Sequence, residues 1–478
     1  MGSWIVVFGL AVLVAAAGAT WVIHHAEVDS IPDQQKIARS LEIIRTSTPA
    51  DRKILKVLFY GLSISRSGWD QAVIEHWHQK YPNTVFVVQN RALGGFDSPR
   101  LLRTTEQDIA AFYPDLIIFH VYGDHRAYEK IIRIFRSQTA ADVIVQTDHG
   151  QAIPDPPCTE GLRPTLHQQP GCTGLFWVKQ RNWYDEMSYH KIPSFAKKYG
   201  LAVEPQRIWW REYFLRTHVD PQSLLVDDLH PNEKGKALIS TFFDQYFDEL
   251  VEKWNGQTEQ DVYSVPVIAM TQVAGRAQET VNFDGSRLEV LSNRPLATWP
   301  TVTIDGRSPK DIDGCYLVTR ASSIGTVPDW PALRRITLRQ DHVPEEWTAT
   351  LTKISADQKS FDFTLKASIT GDQGSGDSAH DFMSKSGKLS IEAQDWMVER
   401  AFDEKHIPLQ SPFEVRWSVN DVCGGEPEVI DRGDGTTQYR YVVGTGLSNE
   451  KHEVTLLAPP SELAAIVEFR AYKPPLHQ

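Results

Sequence analysis

A three-layer α/β/α domain followed by an all-β sandwich is the fold this sequence predicts, and three observations carry it. Between about residues 53 and 255, short apolar runs alternate with stretches of helical periodicity, the pattern of a parallel sheet covered on both faces. After about residue 260 the apolar spacing changes from 3.6 to 2, as in half-buried antiparallel strands. The chain has 478 residues, more than the roughly 250–300 that one core usually supports. The expected organisation is an N-terminal segment (1–25), an α/β domain (50–255) and a β-sandwich (262–478).

Each element follows from its residues. Residues 4–23 (WIVVFGLAVLVAAAGATWVI) carry no charge and reach the roughly 20 residues of a membrane span, while the run AAAGAT resembles a signal-peptidase site. The segment reads as a cleaved signal or a retained membrane anchor. It predicts an extracytoplasmic protein: secreted, periplasmic or anchored. KILKVLFY (53–60) reads as a buried strand, and WDQAVIEHWHQK (69–80) as a helix with Trp69, Val73 and Trp77 on one face. TVFVV (84–88), DLIIFH (115–120) and DVIVQT (142–147) are further strands, and Tyr128, Ile131, Ile132 and Phe135 form a helix face between the last two.

The stretch 148–190 is turn-rich and reads as a loop over one end of the sheet, bringing Asn182 and Trp183 to a cleft. A helix near 191–199, a short strand LAV (201–203) and a helix over 232–252 with Ile239, Phe242, Phe243, Tyr246 and Leu250 on one face close the domain. In the second half, FDFTL (361–365) and FEVRWSV (413–419) alternate as strands. GDQGSGD (371–377) reads as a hairpin tip, and Trp347, Trp396 and Trp417 as core.

A formal net charge of −12 with no basic run argues against nucleic acid, whose binding needs Lys and Arg on phosphates. Four cysteines allow three pairings. Export makes disulfides expected, and sequence neighbourhood favours Cys158–Cys172 and Cys315–Cys423. No zinc spacing is present, and neither a metal nor a cofactor is expected.

The chemistry lies where α/β sheets place their sites, at strand-to-helix junctions. Gly61-Leu62-Ser63 after the first strand would hold a hydroxyl at the sheet's edge and a helix start. Asp227-Asp228-Leu229-His230 precedes the last helix, a spacing that lets one carboxylate orient the imidazole while the other ring nitrogen takes a proton. Taken alone, either segment could be a helix cap.

Together the two resemble the SGNH (GDSL-like) hydrolase family, whose first block is Gly-Asp-Ser and whose last is Asp-x-x-His. The resemblance implies a flavodoxin-like three-layer domain and a serine esterase with Ser63 as nucleophile, His230 as base and Asp227 as its support, leaving Asp228 a solvated neighbour. Asn90-Arg91-Ala92-Leu93-Gly94-Gly95 matches the second block in part, so Gly95 would donate its N–H to the oxyanion. The third block, Gly-x-Asn-Asp in the family, reads Gly123-Asp124-His125-Arg126, which puts His125 where the oxyanion-binding asparagine stands. Leu62 replaces the first block's aspartate. The implied activity is deacetylation of a polysaccharide or other glycan through an acyl-enzyme. A lipolytic esterase and an inactive glycan-binding surface protein are the alternatives. The partner is a glycan or small ester, and the oligomeric state is open.

Overall fold

The structure, a computed structural model, describes residues 31–151, 183–256, 261–323, 327–339, 342–399 and 408–476. The apolar segment 4–23, Asn182 and the pair Cys158 and Cys172 lie outside these residues.

Strands β1 (Ile54–Gly61), β2 (Val85–Asn90), β3 (Leu116–His120), β4 (Asp142–Gln146) and β5 (Ala202–Glu204) form one parallel sheet in the order β2-β1-β3-β4-β5. This is the flavodoxin-like order. The helices are α1 (Asp33–Lys36), α2 (Ala38–Thr46), α3 (Trp69–Lys80), α4 (Ser98–Phe112), α5 (His125–Gln138), α6 (Ile192–Tyr199), α7 (Gln206–Thr217) and α8 (Glu233–Lys253). Alternation along the strands splits the core in two. Leu58, Tyr60, Ile117, Phe119, Val143 and Val145 pack with residues of α4, α5 and α6. Leu55, Val57, Phe59, Leu116, Ile118 and Ile144 pack with α2, α3, α7 and α8 on the other side.

The structure adds elements that periodicity did not show. α1 and α2 precede the first strand; Leu41 and Ile44 enter the core, Arg39 pairs with Asp115 at 2.7 Å, and Ser40 holds Asp142 at 2.7 Å. α4 carries Thr104, Thr105 and Asp108 on its buried face, and the Tyr60 hydroxyl lies 3.0 Å from both Thr104 and Asp108. α7 is another such element: its Trp210 and Phe214 are buried while Ile208 and Leu215 are exposed. The described end of the 148–190 stretch is helical, with a π-helical turn at Met187–Lys191 running into α6.

The second half is an antiparallel β-sandwich region, though not one simple pair of sheets. A four-stranded sheet (Val267–Val273, Arg276–Gly285, Thr301–Ile304, Glu450–Ala458) and a five-stranded one (Val262–Val265, Arg287–Ser292, Glu428–Asp431, Thr437–Gly444, Ile466–Tyr472) take strands from both ends of the region. Nested between them in the chain is a seven-stranded sheet whose longer strands are Glu345–Thr352, Asp362–Ala367, Gly371–Asp377 and Phe413–Asp421. Cys315 and Cys423, bonded with Cα atoms 5.4 Å apart, close the neck of this insertion, where Tyr316 pairs with Asp421. GDQGSGD is therefore an edge strand against Asp362–Ala367, not a free hairpin tip. Trp347, Trp396 and Trp417 are buried; the Trp347 and Trp417 rings stack at 6.2 Å across neighbouring strands.

Candidate active site

The sheet order reverses between β1 and β3, so the loops leaving their C-terminal ends diverge and open a crevice there. β1 ends at Gly61, paired with His120 at the end of β3. A Cβ on Gly61 would stand 1.9 Å from the His120 carbonyl oxygen, and its φ of +154° belongs to glycine. The Leu62 N–H then donates to that same carbonyl at 3.1 Å, and the turn presents Ser63. Asn90 braces the turn from below: its amide donates to the Ser65 carbonyl at 2.8 Å and to Asp70 at 3.0 Å, and its oxygen accepts from the Ala92 N–H at 3.0 Å.

The second component is the loop before α8. Asn232 caps that helix by accepting from Lys234 and Gly235 N–H groups, and donates to the Ser223 and Leu225 carbonyls. Leu225 bridges to Pro231, so residues 226–230 form a closed loop. Inside it Asp227 accepts from the N–H groups of Leu229 at 2.8 Å and His230 at 2.6 Å. Its other oxygen lies 2.8 Å from His230 Nδ1, and His230 Nε2 lies 2.9 Å from Ser63 Oγ. Burial pushes the Asp227 carboxyl up, but the backbone and ring hydrogen bonds from His230, with that from Leu229, outweigh it and hold it below the usual carboxylate range. A ring that donates to Asp227 from Nδ1 leaves Nε2 free to accept the Ser63 proton. Asp228 is exposed beside them.

These groups open into a cavity of about 640 Å³ whose walls include Ser63, Gly94, Gly95, Tyr122, Gly123, Asp124, Trp183, Tyr184 and His230. Gly95 sits in the left-handed region at φ +71°. His125 is not among the lining residues. Asp124 accepts from the N–H groups of Arg126 and Ala127, which starts α5 at His125 and leaves Gly123 and Asp124 facing the cavity. His125 is thus the first residue of α5, one position beyond the Gly123 and Asp124 that line the cavity.

Sequence reasoning also missed His120, Asp148 and His149, all buried at the ends of β3 and β4. His120 and Asp148 line the cavity, with His120 Nε2 3.4 Å from Asp148 Oδ1. Their position at carboxyl ends of strands was the available signal. Among the described residues, no group of three or more His, Cys, Asp or Glu side chains has metal-holding geometry.

No family model and no curated protein matches this sequence. Solved structures do. One is a two-domain esterase active on acetylated mannans, 12% identical with a TM-score of 0.34, covering 90% of this chain and 97% of that one. Another is an acetylxylan esterase from Geobacillus stearothermophilus, 15% identical with a TM-score of 0.32, covering 41% of this chain and 94% of that one. A third is an α/β hydrolase from the metagenome of Lake Arreo, Spain, 15% identical with a TM-score of 0.31, covering 42% of this chain and 96% of that one.

Proposed function

We propose that this chain is an extracytoplasmic serine ester hydrolase of the SGNH type that removes acetyl groups from a glycan. The hydrogen-bonded series Ser63, His230, Asp227 opening into one cavity is the observation that carries the reading. His230 Nε2 takes the hydroxyl proton as Ser63 Oγ attacks the ester carbonyl, and Asp227 orients the ring and offsets its charge. The departing sugar oxygen takes that proton from His230, leaving an acetyl group on Ser63. A water deprotonated by the same ring then attacks the acetyl carbonyl, acetate leaves, and Ser63 recovers its proton. The backbone N–H groups of Ser63 and Gly95 serve the developing oxyanion.

A sugar carrier is favoured over a lipid by the walls of the cavity, where Trp183, Tyr184 and Tyr122 stand beside Asp97 and Asp124. Aromatic faces pack against sugar rings and carboxylates accept from their hydroxyls, whereas an acyl chain would have to desolvate those charges. The uncharged segment 4–23 and the Cys315–Cys423 bond support an oxidising, extracytoplasmic setting, with the protein either released or anchored by that segment.

Acetate release from acetylated mannan and xylan, beside hydrolysis of 4-nitrophenyl acetate, tests the proposal with Ser63→Ala as the control. Wild type should release acetate and the variant should not. Binding of the polymers without acetate release would instead establish a binding protein, and preference for long-chain 4-nitrophenyl esters a lipolytic one.

A further inference from the structure

Two members of the proposed triad stand on an exposed loop, with the His230 side chain 41% and that of Asp227 55% accessible. A base that far from the packed core keeps its aim only if something holds the loop against the sheet. The bonds already described within residues 225–231 shape the loop but do not fix it to the strands. One hydrogen bond does: His149 Nε2 lies 2.9 Å from the Leu229 carbonyl oxygen, one residue from His230. A carbonyl only accepts, so Nε2 carries the hydrogen. Among the described residues, this bond and the Ser63 contact are the hydrogen bonds that tie residues 226–231 to the ends of the strands.

The ring that makes this bond is itself locked. His149 Nδ1 lies 2.9 Å from Asp148 Oδ1, its ring and that of Trp210 meet edge to face with centroids 5.2 Å apart, and Arg207 holds the His149 carbonyl at 2.9 Å. Asp148 also accepts from Gln151 Nε2 at 2.8 Å, and its backbone N–H donates to the Tyr122 hydroxyl at 2.7 Å. Asp148, His149 and Arg207 are all buried. Burial alone would raise the Asp148 carboxyl, but His149 and then His120 outweigh it and hold it well below the usual carboxylate range.

We infer that His149, oriented by Asp148, is a positioning residue: it holds the Leu229 carbonyl and thereby keeps His230 aimed at Ser63. The inference rests on the esterase reading for its kinetic consequences, and on geometry alone for the brace. Two substitutions separate the ring's two ends. The amide nitrogen of glutamine reaches to about where Nε2 stands, whereas that of asparagine reaches only to Nδ1.

His149→Asn should lower kcat on 4-nitrophenyl acetate by about 10²-fold, the effect of a misplacement near 1 Å, with KM changed less than about twofold. His149→Gln should keep kcat within about fivefold of wild type. Thermal unfolding of both supplies the control, because a purely structural role would make activity follow stability and not the identity of the amide. The far-downfield proton resonance of the His230–Asp227 hydrogen bond should persist in wild type and His149→Gln and be lost in His149→Asn. Gln151→Ala, which removes one bond to Asp148 and one from Arg207 but leaves the His149 ring in place, should lower kcat by about 3- to 10-fold at unchanged KM.

Full kcat in His149→Asn, equal losses in Asn and Gln variants, or an unchanged resonance overturns the inference. If His149→Asn does not fold, unchanged kcat in Gln151→Ala overturns it. Should wild type hydrolyse no ester, the esterase reading fails while the resonance still decides the brace: loss in His149→Asn upholds it and persistence refutes it.

Discussion

Replacing Arg320 by methionine should destabilise the α/β domain from the sandwich side. Arg320 follows the strand Tyr316–Val318 and crosses to α4, where its guanidinium bonds both carboxylate oxygens of Asp108 at 3.1 and 2.9 Å and the Arg91 carbonyl at 3.0 Å. Asp108 is 1% exposed and also accepts from the Tyr60 hydroxyl. Removing one partner of a buried pair costs about 3–5 kcal/mol because the other charge stays buried. Two features reduce that here: the Arg320 side chain is 18% exposed, and Arg91 remains 3.8 Å from Asp108. The expected loss is about 2–3 kcal/mol, read from urea denaturation midpoints and slopes. Adding Asp108→Asn should recover part of it, with a coupling of about 1–2 kcal/mol in the double-mutant cycle. A loss below about 0.5 kcal/mol, or additive single effects, would refute the reasoning.

Other outcomes follow from the same geometry. Asp227→Asn should lower kcat by about 10³–10⁴ with KM little altered, because an amide facing Nδ1 favours the wrong tautomer; stopped assays on 4-nitrophenyl acetate measure it, and a loss under tenfold would count against the triad. Burial lifts the Glu204 carboxyl well above the usual carboxylate range, with Gln146 and Gln206 offsetting only part. The native state then holds a proton that the unfolded chain releases above about pH 4, so stability falls as pH rises towards the folded value. Glu204→Gln should flatten that slope and be the more stable protein at pH 8, by on the order of 1 kcal/mol; a slope unchanged in the variant contradicts this. The Cys315–Cys423 bond closes a separation of 108 residues, so Cys315→Ser with Cys423→Ser should cost up to about 4–5 kcal/mol of stability on the chain-entropy account. Hydrolysis of small esters should survive that change, and its loss would place the insertion in the site.

The parts that could be read from sequence are those whose causes are local. The helix Trp69–Lys80 and the strands around it show their periodicity because most of their buried positions, Trp69, Val73 and Trp77 among them, are apolar. Asp227 and His230 are legible because one turn makes their contact. α4 is not, since the buried Thr104 and Asp108 make sense only with Tyr60 and with Arg320, 212 positions from Asp108. The nesting of one sheet inside another is equally hidden, because a period of 2 says which residues face inward but not which strands pair. Asp124 ahead of a helix is a readable cap signal as well, and α5 starts at His125.

The turn that presents Ser63 keeps its shape without a carboxylate at position 62. Leu62 packs against the apolar layers on both sides of the sheet. Its backbone N–H takes the His120 carbonyl, so the turn is held by the main chain of the neighbouring strand. Asn90 adds bonds to the Ser65 carbonyl and to Asp70, and Asp70 is buried in the first turn of α3. Main-chain bonds and the Asn90 amide do not depend on the residue at 62. The place of Ser63 is thus set by Gly61, which alone allows the close approach to His120, and by partners on β2 and β3. That is why the turn brings Ser63 within 2.9 Å of His230 with an apolar residue at position 62.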